Sequence, residues 1–139
     1  MISRRTFLFA LGAVALAGCK SSQEGMAAAE AAVARFRAQM MAQEFGRIYA
    51  ESHAEFKKST SEKDLVKFLA VVSAKLGPVK SSERAQWNIN FHSAGTFVTL
   101  GYNTEFAKGT ASEQFVYQIK DGAATLLRYH VSSPALIFN

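Results

Sequence analysis

The chain has 139 residues, a formal net charge of +5 and a single cysteine. This length is enough for one domain with a modest apolar core, and one cysteine leaves no intrachain disulfide and no cysteine-based metal site. The positive charge is too weak for the basic surface of a nucleic-acid-binding protein, so we expect no nucleic acid partner.

The first nineteen residues have the organisation of a lipoprotein export signal. Arg4 and Arg5 form a short positive segment, and residues 7–15 form an apolar stretch that is too short to serve comfortably as a transmembrane helix. The next four residues, Leu-Ala-Gly-Cys, resemble the lipobox of bacterial lipoproteins. This resemblance implies that the leader is removed and that Cys19 carries the lipid.

The lipobox resemblance also predicts where the protein lies in the cell. Bacterial lipoproteins typically carry three acyl chains, and two or more chains hold a protein stably at a membrane. We therefore expect a chain anchored in the bacterial cell envelope, with its domain facing the periplasm. Lys20, directly after the lipidated residue, favours the outer membrane over the inner membrane.

Two export routes remain open. Residues 3–8, Ser-Arg-Arg-Thr-Phe-Leu, resemble the twin-arginine motif, although Phe9 stands where that motif usually has lysine. In the alternative, Arg4 and Arg5 only supply the positive charge of a general secretory leader. In either case we divide the chain into a leader (1–18), the lipidated cysteine with a short polar tether (19–25) and a single α+β domain (26–139).

Helical patterns occupy the first half of the domain. Residues 26–41 are rich in alanine, and a second apolar stripe follows over residues 45–56 after a change of phase. These stripes predict either one long helix or two shorter ones. Ser61 and Asp64 then predict the capped start of a further helix, which Gly77 ends because glycine readily takes the conformation of a C-cap.

The second half of the domain has the period of β-strands. In the first strand Trp87, Ile89 and Phe91 alternate with polar residues, which predicts one buried face. Three further strands follow, separated by glycine-containing turns, so that helices precede a four-stranded antiparallel meander. We place these strands by their apolar residues: Val98, Leu100, Tyr102 and Phe106; then Phe115, Tyr117 and Ile119; then Leu127, Tyr129 and Val131.

This arrangement resembles a group of small bacterial envelope domains of unknown function. The likeness covers about residues 26–133 and rests on the aromatic spacing in residues 45–56, on the helix that ends at Gly77, and on Arg-Tyr-His at 128–130. It implies a cystatin-like or nuclear-transport-factor-2-like roll, with N-terminal helices packed on the meander. Because that fold carries enzymes, ligand binders and dimerisation modules alike, it implies no particular activity.

A polar set on the predicted sheet is the candidate ligand or partner face. Asn90, His92, Arg128 and His130 all fall on the polar phase of the first and fourth strands. One interpretation is a ligand pocket, in which amide donors act beside an arginine that binds a carboxylate or phosphate. The alternative, which we favour, is the solvated outer face of an antiparallel sheet. Such a face can also pair with another subunit.

The sequence contains no clear catalytic signature. The serine-nucleophile motif Gly-x-Ser-x-Gly is missing, and so is a phosphate-binding glycine loop. Glu105 and Glu113 are the carboxylates of the strands and could meet across the turn at Lys108-Gly109, but a hairpin tip is usually solvated and poorly suited to acid–base chemistry. We therefore expect no catalytic residues, no metal and no cofactor.

These observations favour a non-enzymatic envelope lipoprotein whose domain binds a partner protein or forms a homodimer. The first alternative is a small-ligand-binding module, with Trp87, Tyr102 and Tyr117 lining a cavity between helices and sheet. A cyclase- or dehydratase-like enzyme that uses the same cavity is the second. Polar residues of the candidate face that point inward would favour these alternatives, and residues that point to solvent would favour partner binding.

Overall fold

Five helices and four strands form the part of the chain that this computed structural model describes, residues 14–138. Arg4 and Arg5 lie outside the described residues. Within the described part, none of the helices is both long and apolar enough to span a bilayer. In chain order the elements are α1 (Val14–Met41), α2 (Phe45–Ala50), α3 (Ala54–Ser59), α4 (Glu62–Leu76), β1 (Val79–His92), β2 (Gly95–Phe106), β3 (Gly109–Lys120), β4 (Ala123–Ser132) and α5 (Pro134–Phe138).

The strands form one antiparallel sheet in the order β1-β2-β3-β4. Helices α1 and α4 pack on one side of it, which we call the helix-covered face, and the other side is the outer face. The core between helices and sheet includes the fully buried side chains of Leu69 in α4, Leu100 in β2 and Phe115 in β3. The predicted α+β architecture, with helices packed on a four-stranded meander, is therefore confirmed.

Helix α1 starts earlier than the alanine-rich pattern predicts. Its described part, Val14–Met41, includes the predicted tether, residues 19–25. Gly25 is buried where the helix crosses the sheet: a Cβ atom there would lie 3.7 Å from the Cγ2 of Thr96 and 3.9 Å from the Cγ2 of Val98. The last residue of the predicted tether thus lies next to β2.

The segment before α4 contains three helices, α1 to α3, whereas the apolar stripes predicted either one helix or two. Gln43, with a φ of 57°, lies in the turn that follows α1. His53 then caps the N-terminus of α3, because its Nδ1 accepts a hydrogen bond from the N–H of Glu55 at 3.0 Å. The apolar stripe continues through this second break, so the spacing of apolar residues did not reveal it.

Helix α4 begins and ends where the sequence predicts. The Oγ of Ser61 accepts a hydrogen bond from the N–H of Asp64 at 3.2 Å. Gly77 is the C-cap and has a φ of 74°, a conformation that side-chain-bearing residues rarely adopt. Both ends of α4 are therefore determined by local chemistry, and its apolar face is directed into the core.

The predicted buried face of β1 is wrong for its aromatic residues. Trp87 pairs with Leu100 and Phe91 pairs with Thr96, which places both aromatic side chains on the helix-covered face. Nevertheless 61% of Trp87 and 58% of Phe91 is exposed, and only Ile89 between them is half-buried. The cause is tertiary: the helices do not cover this part of β1.

The predicted core position in β4 is also wrong by one residue. Leu126 pairs with Tyr117 and is buried, whereas Leu127 is only half-buried. Val116, the residue before Tyr117 in β3, pairs with Arg128. Leu127 therefore has no partner of its own in β3. This irregularity is a β-bulge, which shifts the alternation of side chains and is not visible in a strict period of two.

Candidate functional site

All four predicted site residues lie on the outer face of the sheet. Asn90, His92, Arg128 and His130 are exposed, and they alternate along β1 and β4 with residues of the helix-covered face. They do not point into the space between helices and sheet. Their arrangement is therefore that of a solvated sheet face and not of an inward-facing pocket.

These residues share a face without forming a cluster. Asn90 and His92 lie on β1, whereas Arg128 and His130 lie on β4, three strand spacings or about 14 Å away. The ring of His92 packs edge-on against Phe97, with 5.1 Å between the ring centroids. A ligand of a few atoms cannot contact both pairs, whereas the surface of another protein can.

The depressions of the outer face are open and polar. One of about 200 Å³ lies beside His130, where Gly101 has no side chain. Another of about 660 Å³ lies near the β2–β3 hairpin, and serine, threonine and carboxylate side chains are prominent in its lining. Small-molecule sites are usually concave and mostly apolar, so these open depressions are poorly suited to hold a small ligand.

A buried polar network, which the sequence did not predict, lies on the helix-covered face. The Oε1 of Glu113 in β3 is 3.0 Å from the Nη1 of Arg37 in α1, and the hydroxyl of Thr104 donates to the same oxygen at 2.6 Å. The hydroxyl of Tyr129 in β4 donates to Oε2 of Glu113 at 2.7 Å, and Arg37 also donates to Ser82 of β1 at 2.9 Å. The network therefore links α1 to all four strands.

The surroundings of Glu113 keep its donors in place. Burial and the negative charge of Glu113 raise the pKa of Tyr129, so its hydroxyl stays protonated and continues to donate. The guanidinium of Arg37 lies 5.4 Å from the ring centroid of Tyr102 and 5.8 Å from that of Phe115, within the range of cation–π contacts. Loss of the carboxylate would leave a largely buried arginine and a buried hydroxyl without their partner, which is strongly destabilising.

A cavity of about 420 Å³ opens beside this network, between α1, the end of α4 and the start of β1. Glu113, Tyr129 and Arg37 contribute to its lining together with apolar side chains such as Phe36 and Met40. Its volume lies near the lower end of the range for small-ligand sites. Oε1 of Glu113 has two donors and Oε2 has one, so Oε2 keeps the capacity to accept one more hydrogen bond.

The three aromatic residues that were predicted to line such a cavity do not line this one. Trp87 is mostly exposed at the edge of the sheet, and Tyr102 lies under Arg37. Tyr117 is buried elsewhere in the core, where burial raises the pKa of its phenol. The cavity between helices and sheet is therefore lined by a different set of residues from the one predicted.

Glu113 was missed because the expectation placed it at a solvated hairpin tip beside Glu105. The structure pairs Glu105 with Thr110 and Glu113 with Tyr102, so the two carboxylates lie on opposite faces of the sheet. Glu105 is exposed and Glu113 is buried. A signal was present, because a step of two residues back from Phe115 along the apolar phase of β3 leads to Glu113.

The family models and curated proteins that were compared with this chain include no relative of it. No protein-family model matches this chain, and no curated protein matches its sequence. Among residues 21–138, whose side chains the structure describes, no three histidine or carboxylate side chains are grouped so that they could hold a metal ion. The function is therefore inferred from the chain's own residues.

Proposed function

We propose that this chain is a membrane-anchored lipoprotein of the bacterial envelope that has no enzymatic activity and binds another protein through its folded domain. The support for the anchor is the apolar leader followed by the lipobox-like segment that ends at Cys19. Helix α1 includes this position and continues to Met41. A lipid on Cys19 would therefore be attached to a helix that packs on the sheet, which restrains how the domain is oriented at the membrane.

The outer face of the sheet is the observation that carries the binding part of this proposal. All four strands contribute to it, and α1 and α4 pack on the opposite side. Its polar side chains are exposed and spread over about 14 Å from β1 to β4. Histidine, arginine and amide side chains over that distance suit hydrogen bonding to a protein surface.

The anchor is tested by fractionating cells that produce the full-length chain. Cys19→Ser should move the protein from the membrane fraction to the soluble fraction, because the acylated thiol is lost. Ser22→Ala, which leaves Cys19 in place, is the matched control and should stay with the membranes. If the Cys19→Ser chain sediments as the control does, the anchor proposal is wrong.

The binding part is tested by native mass spectrometry of the protein isolated from its own envelope in mild detergent. We expect the lipidated chain together with a second protein. Arg128→Glu combined with His130→Glu should lower the recovery of that protein roughly tenfold, because both changes reverse or add charge in the contact. Lys63→Glu, an exposed change on α4, should leave it unchanged. Equal loss in both variants would contradict an interface on the outer face.

The cavity beside Glu113 favours a second candidate function, a small-ligand-binding module or a cyclase- or dehydratase-like enzyme. A carboxylate, a tyrosine hydroxyl and a guanidinium meet in about 420 Å³, and such groups can hold the polar end of a ligand or move a proton. The same mass measurement separates the candidates. An adduct of small-molecule mass that disappears when Met40→Trp fills the cavity would support the second candidate.

A further inference from the structure

An exposed apolar strip follows the free edge of the sheet. Strand β1 has only β2 as a neighbour, and its residues 86–92 pair with β2 without a register shift. Trp87 and Phe91 in this segment are largely exposed, and Ile89 lies between them. Proteins usually protect an edge strand, because its unpaired backbone groups readily pair with another strand.

The first half of β1 has protections that residues 86–92 lack. Lys80, Glu83 and Arg84 place charges along the first half, and its pairing with β2 shifts register twice. Residues 86–92 contain no lysine, arginine or carboxylate. Charges and bulges discourage pairing at an edge, so residues 86–92 are the part of β1 that is open to a second strand.

Residues 86–92 have a similar order of polar, aromatic and amide side chains whether the segment is read forwards or backwards. It reads Gln-Trp-Asn-Ile-Asn-Phe-His, with Ile89 at the centre. In antiparallel pairing about Ile89, Trp87 of one chain lies opposite Phe91 of the other, and Asn88 lies opposite Asn90. Aromatic pairs directly across two strands stabilise a sheet, and this register brings no like charges together.

We propose that this chain forms a symmetric dimer in which β1 pairs with β1 of a second copy, antiparallel and centred on Ile89. The twofold axis generates two identical contacts between Trp87 and Phe91, as an isologous interface requires. The sheet grows to eight strands and the exposed aromatic strip is covered. This inference goes beyond the proposed function: it places a second copy at the free edge of the sheet, and it requires neither the contact on the outer face nor the lipid anchor.

Disulfide cross-linking of the full-length chain tests the register. Ile89→Cys brings two thiols opposite each other at the axis, so mild oxidation should produce a covalent dimer in high yield. Gln86→Cys is the matched control on the same strand, and it would lie six residues or about 20 Å from its own copy and give little dimer. A mixture of Gln86→Cys chains and His92→Cys chains should cross-link, because these positions face each other.

The cross-linking is carried out both in membranes and in a Cys19→Ser background. The parent chain shows how much dimer comes from Cys19 itself. A high yield at Ile89→Cys with little at Gln86→Cys supports the dimer, and equal yields at both positions, or none at Ile89→Cys, overturn it. A chain that stays with membranes but gives no dimer contradicts this inference alone. A dimer from a chain that retains Cys19 but does not stay with membranes contradicts only the anchor.

Charge substitutions test the same interface without a covalent bond. Trp87→Lys should raise the dissociation constant of the dimer at least roughly tenfold, because two lysines would replace aromatic contacts. Addition of Phe91→Glu to that chain should restore dimerisation, since opposite charges then meet across the axis. Sedimentation velocity measures the dissociation constants of these variants, and in the parent chain the fluorescence of Trp87, the sole tryptophan, reports directly on this strip. Shielding of Trp87 by anionic lipid vesicles, with no dependence on protein concentration, would show a membrane contact instead and overturn the dimer.

Discussion

The two edge strands of the sheet differ in how the rest of the molecule covers them. At β4, Leu126 and Val131 are buried, and the N–H of His53 donates to the carbonyl oxygen of Leu126 at 2.8 Å. At β1, the corresponding large side chains, Trp87 and Phe91, remain mostly exposed. One edge is therefore closed by the helical segment, and the other is open along its second half.

The difference teaches that the helices cover the sheet unevenly. Helix α1 is tied to β3 and β4 by the hydrogen bonds of Glu113, and the turn before α3 adds a backbone hydrogen bond to β4. Beside β1, α1 makes exposed polar contacts, such as the ion pair between Glu30 and Arg84. Such exposed pairs hold a helix and a strand side by side but bury little apolar surface.

The largest expected loss of stability comes from removing Glu113 from the polar network on the helix-covered face. Glu113→Ala removes the carboxylate that Arg37 and Tyr129 share, and loss of one partner of a buried pair costs about 3–5 kcal/mol. Urea unfolding followed by circular dichroism measures this loss. Glu105→Ala, at an exposed carboxylate on β2, is the control and should change the free energy of unfolding by less than about 0.5 kcal/mol. Similar losses in both variants would show that the network does not stabilise the fold.

An intermediate effect is expected from truncating one apolar side chain at each edge. Leu126→Ala should lower the free energy of unfolding by about 2–4 kcal/mol, because it leaves a cavity in the core. Trp87→Ala should cost less than about 1 kcal/mol in dilute protein, since most of that side chain is already in water. Thermal and urea unfolding of the two variants provide the comparison. Equal destabilisation would mean that the two edges are covered alike.

The smallest effect is a pH-dependent one at the ion pair between α1 and the end of α2. The guanidinium of Arg35 donates to both oxygens of Glu51 at 2.6 and 2.9 Å and holds the pKa of that carboxyl below its usual range. The carboxylate therefore stabilises the fold above the unfolded pKa of about 4.3, and this contribution is lost as the pH falls further.

Glu51→Gln should accordingly be less stable than the parent chain at pH 7, with a difference that shrinks below about pH 4. Thermal unfolding midpoints from pH 7 to pH 3 measure this convergence. Glu83→Gln, at an exposed carboxylate of β1, is the control for the same substitution elsewhere on the surface. A constant difference between Glu51→Gln and the parent chain across the whole range would rule out the charged pair as its source.

Much of the fold could be predicted because its signals are local. Ser61 and Gly77 limit α4 through cap geometry that depends only on neighbouring residues. Turn residues and alternating side chains likewise predicted the antiparallel meander. The break at His53 and the bulge at Leu127 were not predictable in this way, because each changes the phase of a pattern without a strong turn residue.

The candidate site was predicted only in part. The polar phase of β1 and β4 was sufficient to place Asn90, His92, Arg128 and His130 on one face. It did not reveal that these residues are too far apart for one small ligand. Glu113 escaped notice because its importance comes from Arg37, a residue 76 positions earlier in the chain that lies across the core.

The sequence by itself determined the α+β class, the order of helices before strands and the alternation of faces in the sheet, because these follow from local periodicity and turn chemistry. Only the tertiary structure decided which face of the sheet the helices cover, which residues form the polar network and which edge of the sheet stays exposed. The reason is that coverage depends on where α1 crosses the sheet. That crossing is set by contacts between residues far apart in the chain, such as Arg37 with Glu113 and His53 with Leu126.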